Sequence, residues 1–120
     1  AGARVLLVED SLIIAMDAED ILISLGAERV VTANGVAQAM GEIDREPIAV
    51  AVLDFNLGTE TSLPVALELM KRGIPFVFAT GYGEQLVLPA ELDDRGVLKK
   101  PYTALGMRRV LGDAMGIERE

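Results

Sequence analysis

IAVAVLD, residues 48–54, decides the fold: six apolar residues run without a break into Asp54. A strand facing water on one side alternates polar with apolar residues, and this one has no polar position before its end. It therefore reads as a central strand of a parallel sheet, covered by helices on both faces. Pro47 opens it. Outward from this strand, short apolar runs alternate with longer amphipathic segments. On the N-terminal side, Leu6–Val8 belongs to a first strand. Asp10 or Ser11 is placed to cap a helix whose Ile14, Ala18, Ile21, Leu22 and Leu25 follow helical spacing, and Gly26 stops it. Val30–Thr32 reads as a second strand. Val36–Arg45 follows as a second helix, with Val36, Ala39, Met40 and Ile43 inward.

On the C-terminal side, the loop FNLGTET leads to a third helix. Ser62 is its expected cap, Pro64 lies in its first turn, and Val65, Leu67 and Leu69 are its apolar positions. Gly73 ends it, residues 75–80 (PFVFAT) form a fourth strand, Gly96–Lys99 a short fifth, and Thr103–Met115 a last helix. Five repeats of strand and helix imply one doubly wound α/β domain over residues 1–120. Residues 81–95 break the pattern. Two glycines and Pro89 interrupt the place of a fourth helix, so that helix is expected to be short or disordered.

Composition narrows the function. A chain of 120 residues suits one domain, and 51% hydrophobic with 4% aromatic residues calls for an aliphatic core. A net charge of −8 repels phosphate backbones and anionic membranes, so neither nucleic acid nor membrane is an expected partner. No apolar run approaches the roughly 20 residues of a spanning helix, and the N-terminus lacks a signal peptide's pattern. Without cysteine or histidine, thiolate and imidazole metal sites are excluded. A cytoplasmic protein is expected.

In an open parallel sheet, ligands bind beyond the carboxyl ends of the strands. Those ends carry Glu9 and Asp10 on the first strand, Asp54 on the third, Thr80 on the fourth, and Lys99 and Lys100 on the fifth. Three carboxylates held about 5–6 Å apart repel by roughly 3 kcal/mol per pair at an effective dielectric near 20. A shared proton or a bound cation must relieve this, and Mg²⁺, a hard ion suited to oxygen ligands, is the economical choice. Mg²⁺ beside a carboxylate, a hydroxyl and an ammonium supplies the parts for phosphoryl transfer, with Asp54 as the nucleophile.

VLLVED, VLDFNLG, FATGYG and LKKPY resemble, in order and spacing, the motifs of bacterial two-component response-regulator receiver domains. The resemblance spans essentially the whole chain. It implies a CheY-like (flavodoxin-like) five-stranded parallel sheet of order 2-1-3-4-5 flanked by helices. It further implies that Glu9 and Asp10 coordinate Mg²⁺ with Asp54, the phosphoacceptor, and that Asn56 lends its backbone carbonyl. Thr80 would be the switch hydroxyl and Lys100 the partner of the phosphoryl group, before a Lys–Pro bond that is usually cis in the family. The switch region would comprise Thr80, Gly81, Tyr82, Pro101 and Tyr102. Receivers usually carry an aromatic residue where this chain has Val97. FATGYG is similar to the signature of an atypical subgroup, nicknamed FAT GUY, that lacks this aromatic. In that subgroup the fourth helix tends to be poorly ordered, and the kinases tend to be of the HWE/HisKA2 type.

The expected function is therefore a receiver that takes a phosphoryl group from a sensor histidine kinase. It would catalyse its own phosphorylation and dephosphorylation without being an enzyme that turns over a substrate. The chain ends soon after the last helix, so no output domain is expected. Output would pass to a protein partner or end in a phosphate sink, from a monomer or weak dimer. The alternatives are an aspartyl-phosphate phosphatase, a flavodoxin-like cofactor binder and a pseudo-receiver. A phosphatase of the haloacid-dehalogenase type needs an acid where Asn56 stands. Glu9 and Asp10 would repel an FMN phosphate, and the intact acid set argues against a pseudo-receiver. Asp17, Glu19 and Asp20 read as a solvated helix face, and Arg108 and Arg109 as charged exterior.

Overall fold

The computed structural model describes residues 4–80, 97–99 and 103–115. In chain order these hold β1 (Arg4–Val8), α1 (Leu12–Ser24), β2 (Arg29–Ala33), α2 (Val36–Arg45), β3 (Val50–Asp54), α3 (Leu63–Lys71), β4 (Phe76–Thr80), β5 (Val97–Lys99) and α4 (Ala104–Met115). The strands form one sheet of order β2-β1-β3-β4-β5, with every pairing parallel. Each expected strand and helix inside the described residues is present, with ends shifted by one or two residues. The expected short or disordered fourth helix, residues 81–95, lies outside them.

The unbroken apolar run of β3 is explained by two cores. Ala51 and Leu53 point to one face of the sheet, with Leu6, Val8, Phe76 and Phe78, beneath Ala39 and Ile43 of α2 and Val65, Ala66 and Leu69 of α3. Val50 and Val52 point to the other, with Val5, Leu7, Val77 and Ala79, beneath Ala15, Ala18 and Leu22 of α1 and Met107 and Leu111 of α4. Alternate residues of a strand serve opposite faces, so a strand covered on both sides has no position to leave polar. Two edge-on aromatic contacts, Phe55 on Phe78 and Phe76 on Phe78, lie on the α2/α3 side, at centroid separations of 5.7 and 5.6 Å.

Local signals act as the residues suggest, with exceptions. Ser11, not Asp10, caps α1: its hydroxyl accepts the Ile14 N–H at 3.4 Å. Thr103 caps α4, its hydroxyl accepting the Gly106 N–H at 3.0 Å. Ser62 holds the cap position of α3, but its hydroxyl makes no capping bond and is fully buried. Leu67 and Leu25, expected inward, are partly exposed; the α3 core contact is made by Ala66 instead. On α1, Leu12, Ile13, Met16 and Ile23 lie exposed, so this helix is apolar on its outer face as well as its inner one. Asp17 and Asp20 are solvated as expected, whereas Glu19 is half-buried and accepts a hydrogen bond from the Thr32 hydroxyl of β2. Arg108 and Arg109 are exposed. No helix among the described residues is long and apolar enough to cross a membrane.

Arg4, the first residue of β1, is buried and was not singled out by the sequence. Its guanidinium donates to the Glu46 carbonyl at 2.9 Å and the Glu42 carbonyl at 3.4 Å, and to the Glu42 carboxylate at 2.7 Å. It thus satisfies the Glu46 carbonyl, adds a second donor to the Glu42 carbonyl that already accepts the Glu46 N–H, and places a positive charge at the negative end of the helix dipole. Arg72, just past α3, reaches the same end, pairing with Asp44 at 2.5 Å and donating to the Ile43 carbonyl at 3.4 Å. Arg45 completes the cluster, pairing with Glu42 at 2.8 Å. The end of α2 is fastened both to the sheet and to its neighbour helix.

The hydrogen bond from Arg45, with the charges of Arg45 and Arg4, holds the Glu42 carboxyl below its ordinary value of 4.5, against an opposing desolvation effect. A lowered folded value contributes stability that is full above the ordinary value and is lost as pH falls through the folded one. Urea melts should show Glu42→Gln less stable than wild type at neutral pH, with the two converging as pH falls below the ordinary carboxyl range. Arg4→Met, which leaves the Glu46 carbonyl without its Arg4 donor and the Glu42 carboxylate without its buried partner, should lower unfolding free energy by about 1–3 kcal/mol.

Candidate functional site

Register sets the site. Val8 of β1 lies opposite Leu53 of β3, so Glu9 emerges next to the end of β3; Asp54 lies opposite Ala79, and Thr80 opposite Lys99. All strands run the same way, so their terminal polar residues share one edge. Glu9 and Asp54 are 2% exposed and Thr80 4%, whereas Asp10 is exposed. One carboxylate oxygen each from Glu9, Asp10 and Asp54 lies within 4.8 Å of the other two. The expected acid cluster is formed.

Backbone bonds hold these acids in place. The Glu9 N–H donates to the Ala33 carbonyl at 2.9 Å, fastening the first acid to the end of β2. Its carboxylate accepts the Ser11 N–H at 3.2 Å, folding the turn that carries Asp10 outward. The Phe55 N–H donates to the Ala79 carbonyl at 3.0 Å and carries the β3–β4 pairing one residue past Asp54. Two buried acids and one exposed acid give a pocket of oxygen donors open to water on one side. That donor set fits a hard divalent cation such as Mg²⁺, which keeps several waters. Among the described residues no histidine or cysteine competes, since the chain has none.

Beyond Asp54 the loop folds on itself as a small hairpin. Asn56 bridges Thr61, the Leu57 N–H donates to the Glu60 carbonyl at 2.8 Å and the Ser62 N–H to the Phe55 carbonyl at 2.9 Å. These bonds run through Phe55 and Leu57, so the hairpin does not use the Asn56 carbonyl, the group expected to serve a metal. The Asn56 side chain accepts the Gly58 N–H at 3.0 Å. Gly58 has φ +89°, and a Cβ there would lie 3.6 Å from the Asp10 carboxylate. A glycine is needed for that backbone, and it brings the hairpin against the acid cluster. Leu57, only 6% exposed, pins the hairpin into the α2/α3 core.

The structure therefore brings together Glu9, Asp10 and Asp54, with Asn56 on the adjoining hairpin and Thr80 buried two strands from β1. Lys100, Gly81, Tyr82, Pro101 and Tyr102 lie outside the described residues, and of Val97 and Lys99 only the backbone is described. Gly58, Glu60 and Gly35 were missed. The loop glycine was the only local signal for the first, and the Glu60 contact spans 24 residues.

No family model matches this chain, and no curated protein does. Solved structures do. The chain is similar to SdrG from Sphingomonas melonis Fr1, with 41% identity over 97% of this chain and 98% of that one and a TM-score of 0.84. It is similar as well to the BeF3-activated conformation of SdrG from Pseudomonas melonis Fr1, with 41% identity over 93% and 95% of the two chains and a TM-score of 0.77. The response-regulator REC domain of PhyR from Erythrobacter litoralis shares the fold, with 23% identity over 100% and 95% of the chains and a TM-score of 0.83.

A cation among the acids should stabilise the folded chain. At ten times its dissociation constant, Mg²⁺ should add about 1.4 kcal/mol and raise the melting temperature by several degrees. Asp10→Asn should melt higher than wild type in metal-free buffer, because one repelling charge is gone, and should respond weakly to Mg²⁺. Scanning calorimetry with and without Mg²⁺ measures both.

Proposed function

Because the chain belongs to the response-regulator receiver domains, we propose that it accepts a phosphoryl group from a sensor histidine kinase onto Asp54 and so switches a protein-binding surface. The observation that carries this is the convergence of Glu9, Asp10 and Asp54 within 4.8 Å at the end of the central strand. In the step proposed, a carboxylate oxygen of Asp54 attacks phosphorus, the P–N bond of the kinase phosphohistidine breaks, and an acyl phosphate forms on Asp54. Mg²⁺, when bound, neutralises charge on the transferred phosphoryl oxygens. Glu9, Asp10 and Asp54 would hold that cation, with the Asn56 carbonyl as a further protein ligand. Thr80 and Lys100 then draw toward the new charge and move the surface around residues 80–102.

The finer assignments belong to the same proposal. FATGYG and Val97 favour the FAT GUY subgroup and a kinase of the HWE/HisKA2 type. The receiver acts in the cytoplasm, catalyses its own phosphorylation and dephosphorylation, and signals as a monomer or weak dimer to a protein partner or as a phosphate sink. Leu12, Ile13 and Met16 stand exposed on α1 directly after Asp10, where a phosphodonor protein would approach. Asn56 stands where a haloacid-dehalogenase-type phosphatase carries its second acid, and its side chain is engaged by the Gly58 N–H. This favours a slowly hydrolysed acceptor over a phosphatase.

Intact mass after incubation with acetyl phosphate and Mg²⁺ tests the acceptor chemistry. One phosphoryl group should add to wild type, and none to Asp54→Asn or to wild type in excess chelator. Labelling of Asp54→Asn at the wild-type level would overturn the assignment. If no adduct survives, beryllofluoride with Mg²⁺ should still shift the amide spectrum of wild type, and a spectrum unchanged by it would overturn the proposal as well.

A further inference from the structure

We propose that Glu60 is a positioning residue that ties the hairpin carrying Asn56 and Gly58 to the N-terminus of α2, fixing that hairpin against the acid cluster. The inference rests on the acceptor-site assignment for its purpose, and on separate observations for its geometry.

Helix α2 begins at Gly35, which has no side chain to cap the exposed amides. The missing acceptor comes from another loop: the Glu60 carboxylate accepts the Val36 N–H at 2.9 Å across 24 residues. Gly35 has extended backbone (φ −168°), which any residue can adopt, so its conformation does not call for glycine. A Cβ at residue 35 would meet the same Glu60 carboxylate oxygen at 2.9 Å, so that flexible, exposed side chain would have to shift away from its bond to Val36.

The other end of the tie is built into the hairpin. The Glu60 carbonyl accepts the Leu57 N–H at 2.8 Å, the residue between Asn56 and Gly58. Gly58 in turn borders Asp10. A continuous path thus runs from α2 through Glu60 to the residues flanking the metal site. Its fixed end is firm, because Arg4 and Arg72 hold the far end of α2. The arrangement also disposes of a fourth negative charge in a loop beside three carboxylates. Seated on a helix N-terminus, the Glu60 carboxylate faces the positive end of the helix dipole.

Amide spectra and Mg²⁺ titrations of the whole chain separate positioning from simple capping, using wild type, Glu60→Gln, Glu60→Ala, Gly35→Ala and the Glu60→Ala/Gly35→Ala double variant. Glu60→Ala and Gly35→Ala should displace the same Asn56, Leu57 and Gly58 resonances and weaken Mg²⁺ about threefold to tenfold, the scale of one lost cap. The double variant should be no worse than either single one, and Glu60→Gln, which keeps an oxygen acceptor, should retain most of the affinity. Changes confined to Val36 and the first turn of α2, or additive losses in the double variant, would reduce Glu60 to a helix cap and overturn the proposal. If wild type itself shows no response to Mg²⁺, the acceptor assignment fails. The hairpin resonances then still decide the role of Glu60.

Discussion

Mutual repulsion among Glu9, Asp10 and Asp54 is the force that the rest of the molecule opposes. With ligand oxygens within 4.8 Å of one another, each pair costs about 3.5 kcal/mol at an effective dielectric near 20, less where Asp10 meets water. Side chains on loops alone would swing apart. Here two of the three acids follow directly on central strands: β1 and β3 are neighbours in the middle of the sheet, buried on both faces. Separating Glu9 from Asp54 would mean unpairing these strands and opening both cores. Burial of β3 therefore does more than stabilise the fold: it fixes the placement of charge that a cation can exploit.

This is why the site was legible where the fold was. Reading Ile48–Asp54 as a doubly covered strand put Asp54 at a strand end. The parallel arrangement then put Glu9 and Asp10 on the same edge, and the strand order implied by the receiver resemblance put them beside it. Contacts that join distant segments through single polar atoms could not be read this way. Arg4 looked like the polar start of an apolar run, and its purpose appears only when the carbonyls of Glu42 and Glu46 arrive from 38 and 42 residues away. Glu60 looked like one more acid in a polar turn. Leu67 fitted a helical period but falls on the edge of the buried stripe, where Ala66 gives the closer approach to the sheet. At α1 the stripe read from Ile14, Ala18, Ile21 and Leu22 packs inward and only Leu25 does not, while Leu12, Ile13, Met16 and Ile23 fall outside that stripe and remain in water.

The two faces of the sheet are held by different means. On the α2/α3 side, aromatic packing among Phe55, Phe76 and Phe78 is reinforced by the arginine-centred ion pairs at the end of α2. On the α1/α4 side, the core depends on small and flexible residues: Ala15, Ala18, Ala79, Met107 and Leu111. Close approach of alanine surfaces brings α1 near the sheet, and among the described residues its one side-chain tie to a strand is the hydrogen bond from Thr32 of β2 to Glu19. Partly exposed ion pairs contribute little one at a time, but a cluster of them on buried Arg4 specifies how α2 sits against β1.

That asymmetry bears on where a change at Asp54 can be expressed. An added phosphoryl charge can be relieved by local movement only where the surroundings yield. Toward β1 and β2, the Glu9 amide is bonded to Ala33, and α2 is fastened at one end by Arg4 and met at the other by Glu60. Toward β4, the Phe55 N–H bonds to the Ala79 carbonyl, and among the described residues Thr80 pairs with Lys99 of β5. Among the described residues the β4–β5 pairing spans three residues, against four each for β1–β3 and β3–β4 and five for β1–β2, so it opposes displacement with fewer backbone bonds. Under the acceptor reading, the β2-β1-β3 half of the sheet serves as the fixed frame. The response would then fall to the β4–β5 edge, whose pairing is the shortest among the described residues and which carries the Thr80 hydroxyl at the end of its strand.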